Sequence, residues 1–139
     1  MKITIEIVPV EQQRKFNGKP IIGDWFFDEK TNDLSIKMID LGDWRYNLLY
    51  ARHEMDEAFL CKYNIISTAL VDEWCNKPED DPDCGEGNPD SLSGYGKAPY
   101  QAQHNDALVT EWIMSRLLNV DWSEYAKATQ KLIDAGCTF

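Results

Sequence analysis

The sequence predicts a single α+β domain, in which a short antiparallel sheet of about three strands packs on about four helices. Apolar residues follow a period of two in parts of the first 41 residues, and from residue 42 onward they follow a helical period. Strands that precede helices, instead of alternating with them, are typical of the α+β class. The 139 residues have the length of one domain, with a β region at 1–41 and a helical region at 42–139.

Three runs of residues predict the strands. Isoleucines alternate with polar residues over residues 2–8, and two further β-like runs cover residues 23–28 and 33–39. Residues 29–32, between the last two runs, fit the loop of a β-hairpin. We therefore expect the second and third strands to be neighbours in the sheet.

Four segments predict helices, and each begins at a residue suited to a helix start. Asp43 is a suitable N-cap for a helix that runs to about residue 62, and Asn64 for a second helix over residues 65–75. Pro99 fits the first turn of a third helix that reaches about residue 119. Asp121 opens a fourth helix that ends near residue 135.

A long loop is predicted between the second and third helices. Residues 76–97 are rich in proline, glycine and acidic residues and show no hydrophobic period. Loops of this length in a compact domain are more often functional or mobile than merely connective. The segment fits a lid over a functional site, and it fits a flexible surface excursion equally well.

The chain is strongly acidic, because 24 acidic residues face 14 basic ones and give a formal charge of −10. Ordinary nucleic-acid binding depends on Lys and Arg side chains that neutralise phosphates, so this charge disfavours it. An acidic surface suits cations, a basic protein partner, or mimicry of nucleic acid toward a defence protein. No apolar run approaches the roughly 18 residues of a membrane span, and the first 14 residues lack the pattern of a signal or transit peptide. We therefore expect a soluble, cytoplasmic protein.

The cysteines indicate a reducing compartment. The chain has four of them, Cys61, Cys75, Cys84 and Cys137, and none forms a C-x-x-C pair. Four cysteines are sparse for a disulfide framework of this length, and thiolate zinc sites need closely spaced pairs. We expect reduced, mostly structural thiols.

The first predicted helix carries a histidine and a glutamate on its apolar face. When the helix is laid out at about 100° per residue, His53 and Glu57 fall in the middle of a stripe of large apolar residues. At i, i+4 spacing the imidazole and the carboxylate point the same way and can share one ion. A buried carboxylate is costly unless it is paired or bound to a metal. A His–Glu hydrogen bond without a metal meets the same requirement.

The third predicted helix repeats this arrangement. His104 and Glu111 lie on its apolar stripe, and His53 and His104 are the only histidines of the chain. Two helices that each bury a histidine and a glutamate most simply bury them against each other. Two imidazoles and one carboxylate are a common ligand set of catalytic Zn²⁺, and Mn²⁺ or Fe²⁺ is compatible with the same donors. The sequence therefore predicts a divalent metal site made by His53, Glu57 and His104.

Three further carboxylates are candidates for roles around this site. Glu54 lies about 100° around the helix from His53 and could reach water bound by the ion, which makes it the candidate general base; a solvated surface acid explains it equally well. Glu111 is expected either to hold a ligand histidine by its second nitrogen or to bind the ion directly. Asp72 on the second helix is a further candidate ligand, with a plain surface carboxylate as the alternative.

Several segments resemble a family of small phage and prophage proteins. That family carries the pattern A-x-H-E-h-x-E-A-h-L-C, where h is an apolar residue, behind a short β region with a G-D-W segment, and residues 51–61 of this chain fit the pattern. The other matching segments are Gly23-Asp24-Trp25, Gly42-Asp43-Trp44, Ala98-Pro99-Tyr100 with Gln103-His104, and Val120-Asp121-Trp122 with Tyr125. The resemblance covers most of the chain in order. The resemblance implies that the protein is located in the cytoplasm of a host cell, but it implies no particular activity.

The helix around His53 also resembles, more loosely, the active helix of the zincin metalloproteases, which carries H-E-x-x-H. His53 and Glu54 fit the first half of that motif, whereas Glu57 stands at the position of the second histidine. A ligand from another helix, His104, would restore a set of two histidines and one carboxylate. The resemblance implies a zinc-dependent hydrolase, with peptidase activity as one option, in which Glu54 activates water.

Three hypotheses stay open at this point. The first is a zincin-like hydrolase whose ion keeps an open position. The second is a non-enzymatic acidic binding or inhibitor protein with a structural metal, closed by a fourth ligand such as Glu111 or Asp72. The third is a His–Glu network without a metal. The first hypothesis fails if His53 and His104 lie more than about 8 Å apart, because bonds from zinc to its ligands are about 2 Å long.

Overall fold

The computed structural model of the protein describes residues 1–77 and 98–138. These residues confirm the α+β class with five strands and four helices: β1 Ile3–Ile7, β2 Lys15–Phe16, β3 Lys19–Pro20, β4 Gly23–Phe27, β5 Leu34–Met38, α1 Trp44–Tyr63, α2 Thr68–Cys75, α3 Gln101–Leu117 and α4 Trp122–Asp134. The predicted loop at residues 76–97 lies outside the described residues except for Asn76 and Lys77, and so does Cys84. The described cysteines, Cys61, Cys75 and Cys137, carry no disulfide bond.

The sheet has three strands in the order β1-β5-β4. β4 and β5 pair antiparallel across the predicted hairpin, but β1 runs parallel to β5, with Ile3 opposite Leu34 and Ile7 opposite Met38. The sheet is therefore mixed, not wholly antiparallel as the sequence suggested. Alternation along residues 2–8 fixes which side chains share a face, but it contains no information on strand direction.

A small second hairpin, β2–β3, was not predicted from the sequence. Its turn is Asn17-Gly18, with positive φ angles of 50° and 79°. Positive φ at both central positions is the conformation that Asn-Gly favours in two-residue hairpins. The Asn-Gly turn signal was present in the sequence, but strands of two residues are too short to show an alternation of apolar and polar residues.

α1 lies across β4 and β5 on one side and against α3 on the other. Its N-terminus is capped as expected, because the Asp43 side chain accepts from the backbone N–H of Arg45. Two apolar clusters flank it: one surrounds its first half and includes Leu49 and Tyr125, and the other surrounds its second half and includes Trp25 and Cys61. The polar stretch of α1 therefore lies between two apolar cores.

The second helix begins one turn later than predicted. Asn64 ends α1, since its backbone N–H donates to the Leu60 carbonyl, and Ile65 has a positive φ of 60°. Ser67 is the actual N-cap of α2 and accepts from Leu70. Asp121 caps α4 as predicted. In the described parts of the chain, no helix combines the length and the apolar character needed to cross a membrane.

Candidate metal centre

Three side chains from α1 and α3 converge where the two helices pack. His53 and Glu57 are buried on α1, and His104 on α3 keeps 23% of its side chain exposed. His53 Nε2 lies 3.2 Å from His104 Nδ1, and Glu57 Oε2 lies 2.8 Å from His104 Nδ1 and 3.6 Å from His53 Nε2. These are the three ligands that the sequence predicted, and they form a group that could hold a metal ion.

The spacing of these three atoms fits a metal ion. Bonds of about 2.0–2.1 Å at tetrahedral angles place neighbouring ligand atoms about 3.3 Å apart. The three observed separations, between 2.8 and 3.6 Å, lie on both sides of that value. The centre could therefore accept an ion with shifts of a few tenths of an ångström.

Glu111 lies behind His53, on the side away from the centre. Its Oε2 is 2.9 Å from His53 Nδ1, and its Oε1 accepts a hydrogen bond from the Tyr125 hydroxyl of α4. Because an ionised carboxylate can only accept, His53 must carry its proton on Nδ1. In the neutral imidazole, Nε2 then presents a lone pair to the centre, which is the tautomer that a metal-binding histidine needs.

Trp25 of β4 holds Glu57 in a comparable way. Its indole N–H donates to Glu57 Oε1 over 3.0 Å. Since Oε1 is engaged by the indole, Oε2 is the oxygen that faces the two imidazoles. The atoms of His53 and Glu57 that face the centre are thus oriented by partners on other elements. Residues of α3 and α4 orient His53, and a residue of β4 orients Glu57.

The electrostatics of the centre favour positive charge. Burial alone lowers the pKa of His53, but its contacts with Glu111 and Glu57 and the charge of Glu54 raise it well above the ordinary 6.5. Burial likewise opposes ionisation of Glu57, yet the contacts with His104 and His53 lower its pKa to about 2. The raised pKa of His53 favours a proton at the centre when no ion is bound, and a divalent cation would compete for the same lone pairs.

Glu54 is buried, and the alternative of a solvated surface acid is wrong for it. Its carboxylate lies under the start of β4: a Cβ added to Gly23 would be 2.6 Å from Glu54 Oε1 and closer still to the Tyr50 ring. Its charge contributes to the raised pKa of both His53 and Tyr125. The absence of a side chain at position 23 therefore leaves room for the Glu54 carboxylate beside β4.

Asp72 belongs to a different cluster. Both of its carboxylate oxygens accept from Arg14 over 2.8 Å, and Arg14 also donates to Asp24 over 2.6 Å. This ion-pair cluster ties α2 to β4 and to the segment before β2. Asp72 does not contribute to the group of ligand atoms at the centre, and the structure corrects its assignment as a candidate ligand.

The sequence analysis missed Trp25 and Tyr125 as residues of the site. Both are buried, Tyr125 in the first apolar cluster and Trp25 in the second. Only their polar atoms reach the ligands. No local pattern marks either polar atom as a partner of a ligand, because each contact joins residues from separate elements of the chain.

Comparison with known proteins finds no match among family models, curated proteins or solved structures. The resemblances to phage proteins and to zincins therefore stay predictions. The function has to be argued from the side chains of this chain alone.

Proposed function

We propose that the protein binds one divalent metal ion through His53 Nε2, Glu57 Oε2 and His104 Nδ1, and that it is a metal-dependent hydrolase. One observation carries the first part. Three atoms with lone pairs converge at separations of 2.8–3.6 Å, while Glu111 and Trp25 hold the opposite atoms of His53 and Glu57. Outer partners of this kind are typical of metal-ligating histidines and carboxylates.

The donor set favours zinc. Two imidazole nitrogens and one carboxylate oxygen, with one position left for water, are frequent in catalytic zinc sites. The same donors occur in non-haem iron sites, and manganese is a third option. The identity of the ion is therefore proposed as Zn²⁺ first and Fe²⁺ or Mn²⁺ second.

An open position on a bound ion would favour hydrolysis over a purely structural role. In the described part of the chain, the two proposed closing ligands are engaged elsewhere, Glu111 by His53 and Tyr125, and Asp72 by Arg14. The partial exposure of His104 leaves one side of the centre accessible. A closed site would need four protein ligands.

Glu54 is the proposed general base. A divalent ion bound at the centre would supply a Lewis acid that lowers the pKa of water to about 7. Glu54 would accept the proton of that water while the hydroxide adds to an ester or amide carbonyl, and it would return the proton to the leaving group. This scheme is zincin-like, with His104 in place of the second motif histidine. Membership of the phage family is proposed with it and adds no activity of its own.

A second candidate function is a non-enzymatic acidic binding or inhibitor protein, in which the same residues only tie α1 to α3. One observation favours it. The 2.8 Å contact between His104 Nδ1 and Glu57 Oε2 has the length of an ordinary hydrogen bond. The network can therefore close without an ion, and the acidic surface would then recognise a basic protein.

Elemental mass spectrometry of the untagged protein tests the metal site. Near-stoichiometric zinc, iron or manganese is expected in the wild type, and none in the His53→Ala/His104→Ala double variant. Glu73→Gln removes an exposed carboxylate of α2 and should leave the metal in place. No bound metal, even after reconstitution with each ion, would exclude the metal-dependent hydrolase and favour the binding protein with a metal-free network.

The Glu54→Gln variant separates the hydrolase from the structural site. The expected result is full metal content with loss of hydrolysis, measured on the metal-loaded protein with a panel of peptides and activated esters. Removal of a general base typically costs about 10²–10⁴-fold in rate. Equal hydrolysis by Glu54→Gln and wild type would exclude Glu54 as the base. Metal-loaded wild type that hydrolyses nothing in the panel would favour the binding protein.

A further inference from the structure

The edge strand β1 leaves an apolar row uncovered. Ile3, Ile5 and Ile7 have 42%, 49% and 54% of their surface exposed. Their register places them on the same face of the sheet as wholly buried partners on β5, which are Leu34, Ile36 and Met38. The cause is the placement of α1, which packs across β4 and β5.

The backbone of β1 also has an open edge. Lys2 accepts from the Leu34 N–H over 2.9 Å, and the Val8 N–H donates to Met38 over 2.8 Å, so the even-numbered residues of β1 bond to β5. Because successive residues of a strand point their N–H and C=O groups to opposite sides, those of Ile3, Ile5 and Ile7 point away from β5. Among residues 1–77 and 98–138, no strand lies on that side.

We propose that β1 pairs antiparallel with β1 of a second copy of the chain, which joins two sheets into one of six strands. The inference is independent of the metal centre. Open edges with exposed apolar side chains are the usual sites of strand addition. The open edge of β1 presents N–H and C=O groups at alternate residues. When a second copy of this edge is rotated by 180°, its C=O and N–H groups lie opposite those donors and acceptors.

Charge selects one register. In this register Thr4 lies opposite the partner's Thr4, and Ile3 lies opposite the partner's Ile5. The outward-pointing N–H and C=O groups of Ile3 and the partner's Ile5 can then hydrogen-bond to each other. The row of exposed isoleucine side chains continues from one copy to the next. Lys2 then lies opposite the partner's Glu6. A shift by two residues keeps the hydrogen bonds but places Glu6 opposite the partner's Thr4, which loses both opposite-charge pairs.

The neighbouring charges extend this complementarity across the sheet. Glu6 lies beside Lys37 of its own β5, and Lys37 lies beside Asp24 of β4. At the other end of β1, the backbone N–H of Lys2 donates to the Asp33 side chain. In the selected register, charged side chains on the face opposite the isoleucine row form a line that runs from β4 across the junction, and their charges alternate in sign. The line consists of Asp24, Lys37, Glu6, the partner's Lys2 and the partner's Asp33. Opposite charges directly across strands are favourable and like charges are unfavourable.

Sedimentation velocity over a concentration series tests the dimer, with thermal melting of each variant as the check on folding. Lys2→Glu and Glu6→Lys each place like charges at both junction pairs and should weaken self-association roughly tenfold. An equimolar mixture of the two variants restores opposite charges at both pairs and should form a heterodimer. The double variant Lys2→Glu/Glu6→Lys should self-associate like wild type. Lys15→Glu, which makes the same charge change on β2, should leave the dimer intact.

Two further variants separate this edge from other surfaces. Ile5→Lys introduces a charge into the exposed apolar row and should give a monomer. Ile113→Lys changes the exposed apolar side of α3 and should not. A wild type that stays monomeric up to about 1 mM would overturn the proposal. So would a dimer that survives Ile5→Lys and the single charge reversals, or one that only Ile113→Lys disrupts.

Discussion

Tyr125→Phe is the most direct probe of how the candidate centre is held. The change deletes one hydroxyl and leaves the buried ring in its apolar cluster. Glu111, which is also buried, then loses the donor to Oε1, and among the described residues it keeps His53 Nδ1 at 2.9 Å as its one partner. A hydrogen bond to a charged group contributes about 1.5–3 kcal/mol. A loss of about 2 kcal/mol lowers the melting temperature of a chain of this size by roughly 8 °C.

The same change should weaken metal binding. Glu111 fixes the tautomer and the orientation of His53, and loss of such an outer partner costs about 10–100-fold in metal affinity. We expect the lower end, about tenfold, because Glu111 itself stays in place. Urea unfolding in chelator measures the first effect, and competition with a chromophoric chelator measures the second.

Tyr63→Phe is the matched control, since Tyr63 is 85% exposed and its variant should behave like wild type in both assays. A double-mutant cycle with Glu111→Gln should give a coupling energy of about 1 kcal/mol or more between Tyr125 and Glu111. The proposed role of the Tyr125 hydroxyl would be wrong if the unfolding free energy of Tyr125→Phe lay within about 0.5 kcal/mol of the wild-type value, or if its effect simply added to that of Glu111→Gln.

Three further outcomes follow from the described contacts. Gly23→Ala should destabilise the protein by about 1–3 kcal/mol, because the added Cβ would meet Glu54 Oε1 at 2.6 Å and the Tyr50 ring closer still; urea unfolding that matches wild type would contradict this. Burial raises the pKa of Cys61 to about 12, so its thiol should resist alkylation at about pH 8 until the chain is unfolded, as followed by mass spectrometry. Burial lowers the pKa of His53, but its carboxylate contacts raise it well above 6.5. The metal-free protein should therefore keep this stabilisation below pH 6.5 and lose it as the pH rises through the raised pKa. An unfolding free energy that does not fall as the pH rises above 6.5 would argue against it.

The ligand triad could be predicted from the sequence because each of its signals is local. His53 and Glu57 are one helical turn apart, so their common direction follows from helix geometry alone. The role of His104 could be predicted from its expected burial, because a histidine on the apolar stripe of a second helix needs a polar partner inside the protein.

The surroundings of the triad could not be predicted, because they depend on contacts between distant segments. Trp25 reaches Glu57 across 32 positions of the sequence, and nothing near Trp25 marks its indole N–H as a donor to a ligand. The burial of Glu54 depends on Gly23, a residue whose absent side chain leaves no period to detect. The parallel direction of β1 could not be predicted either, because the alternation of apolar and polar residues is identical in parallel and antiparallel strands.

Charge explains how the protein can fold with or without an ion. Three buried carboxylates, those of Glu54, Glu57 and Glu111, surround the two imidazoles. If both imidazoles are protonated, the cluster carries a net charge of about −1, and it carries the same charge if both are neutral and one divalent cation is bound. Metal binding therefore exchanges up to two protons for one ion without changing the buried charge. A chelator should then lower the stability of the protein but leave it folded, in contrast to small zinc-dependent domains that unfold when the metal is removed.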